Sequence, residues 1–194
     1  LLVDRSGLLW VGAWGGGLQR HNPRNQAIRL LRHSPTHPHR LSHPSVLRIL
    51  ERRDGRVFVG TTGNGIDIID RRLGVVGGYR PDPADPDALA SGVVSGLAED
   101  AQGRLWVGTY QSGVHRLDPG ARGFRRYGRE HGLPTLQIEY LFMARDDRLW
   151  VGTGDGLLRF DASADRFVAL LDAEGHAPQV RINDIDEDDD GRLW

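Results

Sequence analysis

One motif, Gly-x-Leu-Trp-Val-Gly, returns along this chain at near-constant spacing. Its aromatic residue falls at Trp10, Phe58, Trp106, Trp150 and Trp194, in steps of 48, 48, 44 and 44 residues. A unit of that length is a single supersecondary element, too small to bury its own apolar face, so neighbouring copies must stack to make a core. The sequence therefore specifies an array.

Each copy reads as four short strands. In the best-resolved one, an apolar-rich run over 46–52 ends at the turn Asp54-Gly55. Val57, Phe58 and Val59 mark a strand over 56–61, the turn Thr62-Gly63-Asn64-Gly65 follows, and strands over 66–70 and 74–80 complete the unit. The same order returns over 93–127 and again over 138–170. Four strands in a meander leave both faces wet unless similar sheets pack against them around an axis. The expected fold is thus all-β, a β-propeller segment of four-stranded antiparallel blades with a 44–48 residue repeat. Blades are expected at 45–80, 93–128 and 136–170, with a partial blade at 1–32 and the start of another at 180–194. The sequence thus reads as a piece of a larger ring. A Trp recurring once per unit at one strand position reads as core packing rather than as a platform for ligand stacking.

Composition narrows the functional classes. The 25 basic and 26 acidic residues are interspersed, which leaves no electrostatic footprint for nucleic acid. There is no cysteine, hence no disulfide or thiolate metal site within these residues. No apolar run approaches the length of a membrane span, so no direct membrane contact is expected of this segment. Nucleophile-elbow, phosphate-loop and His-Glu-x-x-His signatures are missing, and no catalytic set is expected.

The run Asp100-Ala101-Gln102-Gly103-Arg104-Leu105-Trp106-Val107-Gly108-Thr109, followed by Gly113-Val114-His115-Arg116-Leu117-Asp118 and Phe124-Arg125-Arg126-Tyr127, resembles the two-component regulator propeller repeat. The resemblance extends over the whole chain, with Phe58 in place of Trp, Ala13 in place of Thr and Asp147 at a turn glycine position. It implies the periplasmic, ligand-sensing part of a bacterial transmembrane receptor, homodimeric at full length, with a histidine kinase or a diguanylate cyclase as output. A small molecule or oligosaccharide is the implied ligand, and no cofactor is implied. An interaction scaffold and a secreted carbohydrate-active propeller are the alternative readings. WD40 repeats fit less well, because no Trp-Asp occurs. Sialidase Asp-boxes also fit less well, because Arg5 and Ala101 stand where the acid belongs.

Ligand-binding residues are expected on the loop-rich end of the blades. Trp14, Asn64, Tyr110, Gln111 and Asp155 lie in the loops between second and third strands. Arg48, Gly96, Tyr140 and Asp184 hold equivalent places on the innermost strands, of which Arg48, Tyr140 and Asp184 carry polar groups. A histidine-rich loop holds His33, His37, His39 and His43 among Pro35, Pro38 and Pro44, which keep it extended and the rings apart, so no metal site is expected there. The acidic run 184–190 lacks the ligand layout of an EF-hand and reads as a solvated strand and turn.

Overall fold

The computed structural model describes residues 1–194 except Pro38, Arg71, Leu73 and Pro83, so the role expected of Pro38 lies outside the described residues. The strands form four antiparallel four-stranded sheets, each a meander in chain order. By compactness they fall into two units, residues 1–84 with 88–94 and residues 85–87 with 95–194.

The first unit holds sheet A, made of β1 (Leu2–Val3), β2 (Leu9–Ala13), β3 (Gly17–Asn22) and β4 (Ala27–Leu31), and sheet B, made of β5 (Val46–Glu51), β6 (Val57–Thr61), β7 (Ile66–Asp70) and β8 (Gly74–Tyr79). Sheet A corrects the expectation of a partial blade over 1–32. Leu2 pairs with Trp10 and Val3 with Leu9, so the short β1 brings the sheet to four strands. Two residues are too few for alternation to show in a sequence.

The second unit holds sheet C and sheet D. Sheet C comprises β9 (Val94–Glu99, its first residue belonging to the first unit), β10 (Leu105–Thr109), β11 (Gly113–Leu117) and β12 (Arg125–Tyr127). Sheet D comprises β13 (Ile138–Met143), β14 (Leu149–Thr153), β15 (Gly156–Asp161) and β16 (Arg166–Ala169). Beyond them, Glu187 and Leu193 bridge and Asp186 exchanges backbone hydrogen bonds with Trp194.

Every residue of β6, β10 and β14 is buried, as a continuous apolar run in a doubly covered strand requires. The glycine of Val-Gly follows from close approach. A Cβ on Gly12 would lie 2.5 Å from Val46, on Gly60 2.7 Å from Val94, on Gly108 2.7 Å from Ile138, and on Gly152 2.8 Å from the Ile182 carbonyl. Each second strand thus receives the opening residues of the following repeat against its bare backbone.

The aromatic of the repeat is fixed from six residues upstream. Asp4 accepts the Trp10 indole N–H at 2.7 Å together with the Ser6 and Leu8 amides. Asp100 accepts Trp106 at 2.7 Å with the Gln102 and Arg104 amides, and Asp188 accepts Trp194 at 3.0 Å with the Asp190 and Arg192 amides. At Asp4 and Asp100 one carboxylate therefore both closes the turn and satisfies a buried donor. Burial pushes the Asp4 carboxyl up, but the Ser6, Trp10 and Leu8 hydrogen bonds outweigh it and hold the group below the usual carboxylate range. Trp10, Trp106 and Trp150 are buried as expected. Trp194, the last residue of the sequence, is 78% exposed.

Candidate functional site

The loops between second and third strands are built alike. Thr61, Thr109 and Thr153 each donate their hydroxyl to the carbonyl of the glycine at or just before the start of the third strand, at 2.9 Å, and each accepts a loop amide. These threonines brace one end of sheets B, C and D, while Ala13 takes the position in sheet A; of the expected site residues, Asn64, Tyr110, Gln111 and Asp155 lie in the braced loops.

Trp14, Arg48 and Asn64 lie in the first unit. Trp14 is 78% exposed. Asn64 is taken up by its turn, with its amide on Thr61 at 3.0 Å and its carbonyl accepting from Arg80 at 3.0 Å. Arg80 in turn binds the fully buried Asp67 at 2.6 Å. Arg48 is half-buried and donates to the neighbouring Leu47 carbonyl at 3.1 Å.

Tyr110, Gln111, Tyr140, Asp155 and Asp184 lie in the second unit. Gln111, Asp155 and Asp184 are exposed. The Asp155 amide donates to Thr153 and the Asp184 carboxylate accepts its neighbour's amide at 3.0 Å. Tyr140 packs against the cluster of Ala144, Trp150 and Ile185. Gly96 leaves room for Leu141, whose Cγ would lie 2.6 Å from an added Cβ.

Tyr110 keeps the most informative company. Arg181 binds Glu139 at 2.8 Å with Tyr110 close enough to act on its charge, and the Glu139 side chain is only 11% exposed. The hydrogen bond to Glu139 is the main cause that raises the Arg181 pKa, so the guanidinium stays charged. Glu139 was missed by sequence reasoning. It is the extra residue of a bulge, since Ile138 pairs with Thr153 but Tyr140 already pairs with Gly152. A bulge re-aims one side chain, and here it turns an acid toward the loop end. The signal in the sequence was a single acid inside the apolar run 138–143. A tyrosine hydroxyl, a carboxylate and a guanidinium offer donors and acceptors to a ligand rich in hydroxyl groups.

The histidine loop is engaged piecemeal. His33 contacts the Leu41 carbonyl at 2.9 Å, His39 the Val75 carbonyl at 3.0 Å, His37 the Ser34 hydroxyl at 3.1 Å, and His43 the Ser45 amide at 3.1 Å. Among the described residues no three metal-binding side chains converge. Two crevices open at the far ends of the sheets. One of about 550 Å³ lies in the second unit beside Trp106, Met143 and Phe160, and one of about 330 Å³ lies in the first unit beside Trp10, Leu30 and Ile69.

The family model described as the SMP-30/gluconolactonase/LRE-like region matches residues 96–194, just over half of the sequence. The chain belongs to this family. None of the curated proteins matches this SMP-30/gluconolactonase/LRE-like sequence. Among solved structures, it is similar to the extracellular domain of a proposed hybrid two-component system from B. thetaiotaomicron, with 24% identity, a TM-score of 0.82, and coverage of 100% of this chain and 25% of that one. The extracellular domain of a proposed one-component system from the same organism gives 21% identity and a TM-score of 0.80, with coverage of 100% and 28%. Virginiamycin B lyase from Staphylococcus aureus gives 18% identity and a TM-score of 0.72, with coverage of 100% and 60%. The chain thus spans about a quarter of the length of the extracellular domains it matches, and these likenesses establish the propeller fold.

Proposed function

We propose that this chain is a ligand-binding, signal-input segment of a bacterial transmembrane receptor of the two-component type, lying on the periplasmic side and dimeric at full length. The observation that carries the reading is the full-length superposition, at a TM-score of 0.82, on the extracellular domain of a proposed hybrid two-component system, together with the regulator-type repeat read from the sequence. A sugar or oligosaccharide is the ligand, gripped at the loop end by Tyr110, Glu139 and Arg181 with Gln111 at hand. Its effect on output requires different affinities for the two receptor states. The output domain is a histidine kinase in the principal reading and a diguanylate cyclase in the alternative.

The test is a thermal-shift screen of the 194-residue chain against neutral and acidic oligosaccharides, repeated with Glu139→Gln. A saturable rise in melting temperature that the variant loses supports the reading. A flat screen, or a shift that survives Glu139→Gln, counts against this site. A second reading, lactone hydrolysis, is favoured by the family model's own description. Steady acid release from an aldonolactone by the purified chain would replace signal input with catalysis.

A further inference from the structure

Successive repeats are fastened to one another at their first turns, and one joint is fastened differently from its neighbours. Arg5, Ala101 and Arg145 hold the same place in the repeat, one residue after Asp4, Asp100 and Ala144. Each donates its amide to a carboxylate of the following repeat: Arg5 to Glu51 at 2.7 Å, Ala101 to Asp147 at 2.6 Å and Arg145 to Glu187 at 2.8 Å. The two arginines then add their guanidiniums. Arg5 binds Glu51 at 3.2 Å and donates to the carbonyls of Arg52 and Arg53, and Arg145 donates to the Asp188 carbonyl at 3.0 Å. At these joints a cation therefore lies over the next turn, fixed by an acid and by turn carbonyls.

The joint of sheet C with sheet D has neither the cation nor that acid. Ala101 carries no guanidinium, and Met143 stands where the other two joints present Glu51 and Glu187. The carboxylate comes instead from Asp147, at a turn position that Gly7, Gly55, Gly103 and Gly191 hold in the other copies. Like those glycines, Asp147 has a positive φ, of 64°, which disfavours a side chain, so an acid is kept here against backbone preference. Beside it lies the crevice of about 550 Å³, which Gln102, Met143, Asp147 and Arg159 help to border.

Most polar groups around this crevice are already engaged. Arg104 is held by Asp100 at 2.6 Å and by Gln102 at 3.0 Å, Arg148 is held by Asp146, and Asp161 accepts the Ser163 hydroxyl at 2.6 Å. Two groups are left. Among the described residues, Asp147 accepts through one carboxylate oxygen only, from the Ala101 amide. The exposed Arg159 side chain acts on Asp161 through its charge and makes no hydrogen bond or ion pair among the described residues. An acceptor and a guanidinium thus face a crevice walled by Met143, Leu149 and Phe160.

We propose that this crevice of the second unit binds a free amino acid whose side chain ends in a guanidinium. That guanidinium takes the place that Arg5 and Arg145 fill at the other joints, on Asp147 and the turn carbonyls of Ala144 and Arg145, and Arg159 binds the α-carboxylate. Met143 and Phe160 accept the methylene stem between the two charges. The volume suits a metabolite-sized ligand rather than a polymer. Tyr110, Glu139 and Arg181 do not border this crevice, so the site does not depend on the signal-input reading.

The experiment is calorimetric titration of the 194-residue chain with arginine, with citrulline as the uncharged counterpart, and with agmatine, which lacks the carboxylate. Arginine saturates the site, citrulline and agmatine each bind at least tenfold more weakly, and both Asp147→Asn and Arg159→Gln weaken arginine at least tenfold. Asparagine tolerates positive φ and keeps an acceptor for the Ala101 amide, so the first variant removes charge without unfastening the joint. Agmatine binding as well as arginine would overturn the amino-acid assignment in favour of a site for guanidinium cations alone. Equal binding of arginine and citrulline, unchanged binding by the variants, or no saturable heat would overturn the site altogether. A further variant rebuilds the fastening from within: Ala101→Arg together with Met143→Glu raises the melting temperature and abolishes arginine binding. A rebuilt chain that binds arginine as the parent does would overturn the correspondence between the joints.

Discussion

In sheet C the repeat's aromatic is Trp106, and its indole N–H ends on Asp100 at 2.7 Å. In sheet B the aromatic is Phe58, the position six residues upstream is Arg52, and the Arg52 guanidinium lies 5.3 Å from the phenyl ring. The rings are equally buried, at 1% exposure each. The acid and the indole change together because each alone would be a liability: an indole without its acceptor leaves a buried donor, and an aspartate without the indole loses a partner for a buried charge. Phenylalanine removes the donor, and a cation over the ring face replaces the hydrogen bond with a weaker, non-directional attraction. Sheet D marks the limit of the rule, with Ala144 six residues before Trp150, which is 8% exposed.

This contrast can be broken in three ways. Removing the ring tests the part both sheets share. Trp106→Ala is expected to cost about 3 to 5 kcal/mol, read from the denaturant midpoint, and an unchanged midpoint would remove the ring from the core. The next effect belongs to sheet C alone. His115, on β11, is fully buried; burial and, secondarily, the Arg126 charge pull its pKa from 6.5 down to about 4. Between those two pH values the unfolded chain binds a proton that the folded chain refuses, so stability falls as the pH drops through this window, by on the order of 3 kcal/mol. His115→Gln flattens that slope in urea titrations at pH 4 to 6.5. A slope that persists in the variant assigns it to another group. The smallest effect addresses the contrast directly. Phe58→Trp alone buries an unmatched N–H at a cost of about 1 to 3 kcal/mol. Adding Arg52→Asp recovers most of that loss, and a double-mutant cycle that proves additive would dissolve the acid–indole coupling.

How far the sequence could be read depended on whether a feature was periodic or relational. Repeat phase, strand order and the burial of Trp10, Trp106 and Trp150 followed from spacing alone. The turn aspartates were visible as turn residues, but their grip on an indole six residues away was not, because it needs the hairpin closed. Glu139 escaped notice for a similar reason, since a bulge is a property of pairing register and leaves no mark in composition. Tyr140, expected as an inner-strand ligand residue, also packs against Trp150 and Ile185. An amphipathic side chain serves either purpose, and sequence position does not choose between them.

The contact between each Val-Gly backbone and the opening residue of the following repeat has a consequence for how such chains grow. The receiving half of the joint is glycine in Gly12, Gly60, Gly108 and Gly152, and the inserted half is Val46, Val94, Ile138 or Ile182. Socket and plug are thus interchangeable from copy to copy, and neither depends on which repeat stands beside it. A gene segment duplicated in frame at this period arrives with both halves of the joint, so lineages can lengthen or shorten the array without inventing a new interface, while the loop ends diverge freely.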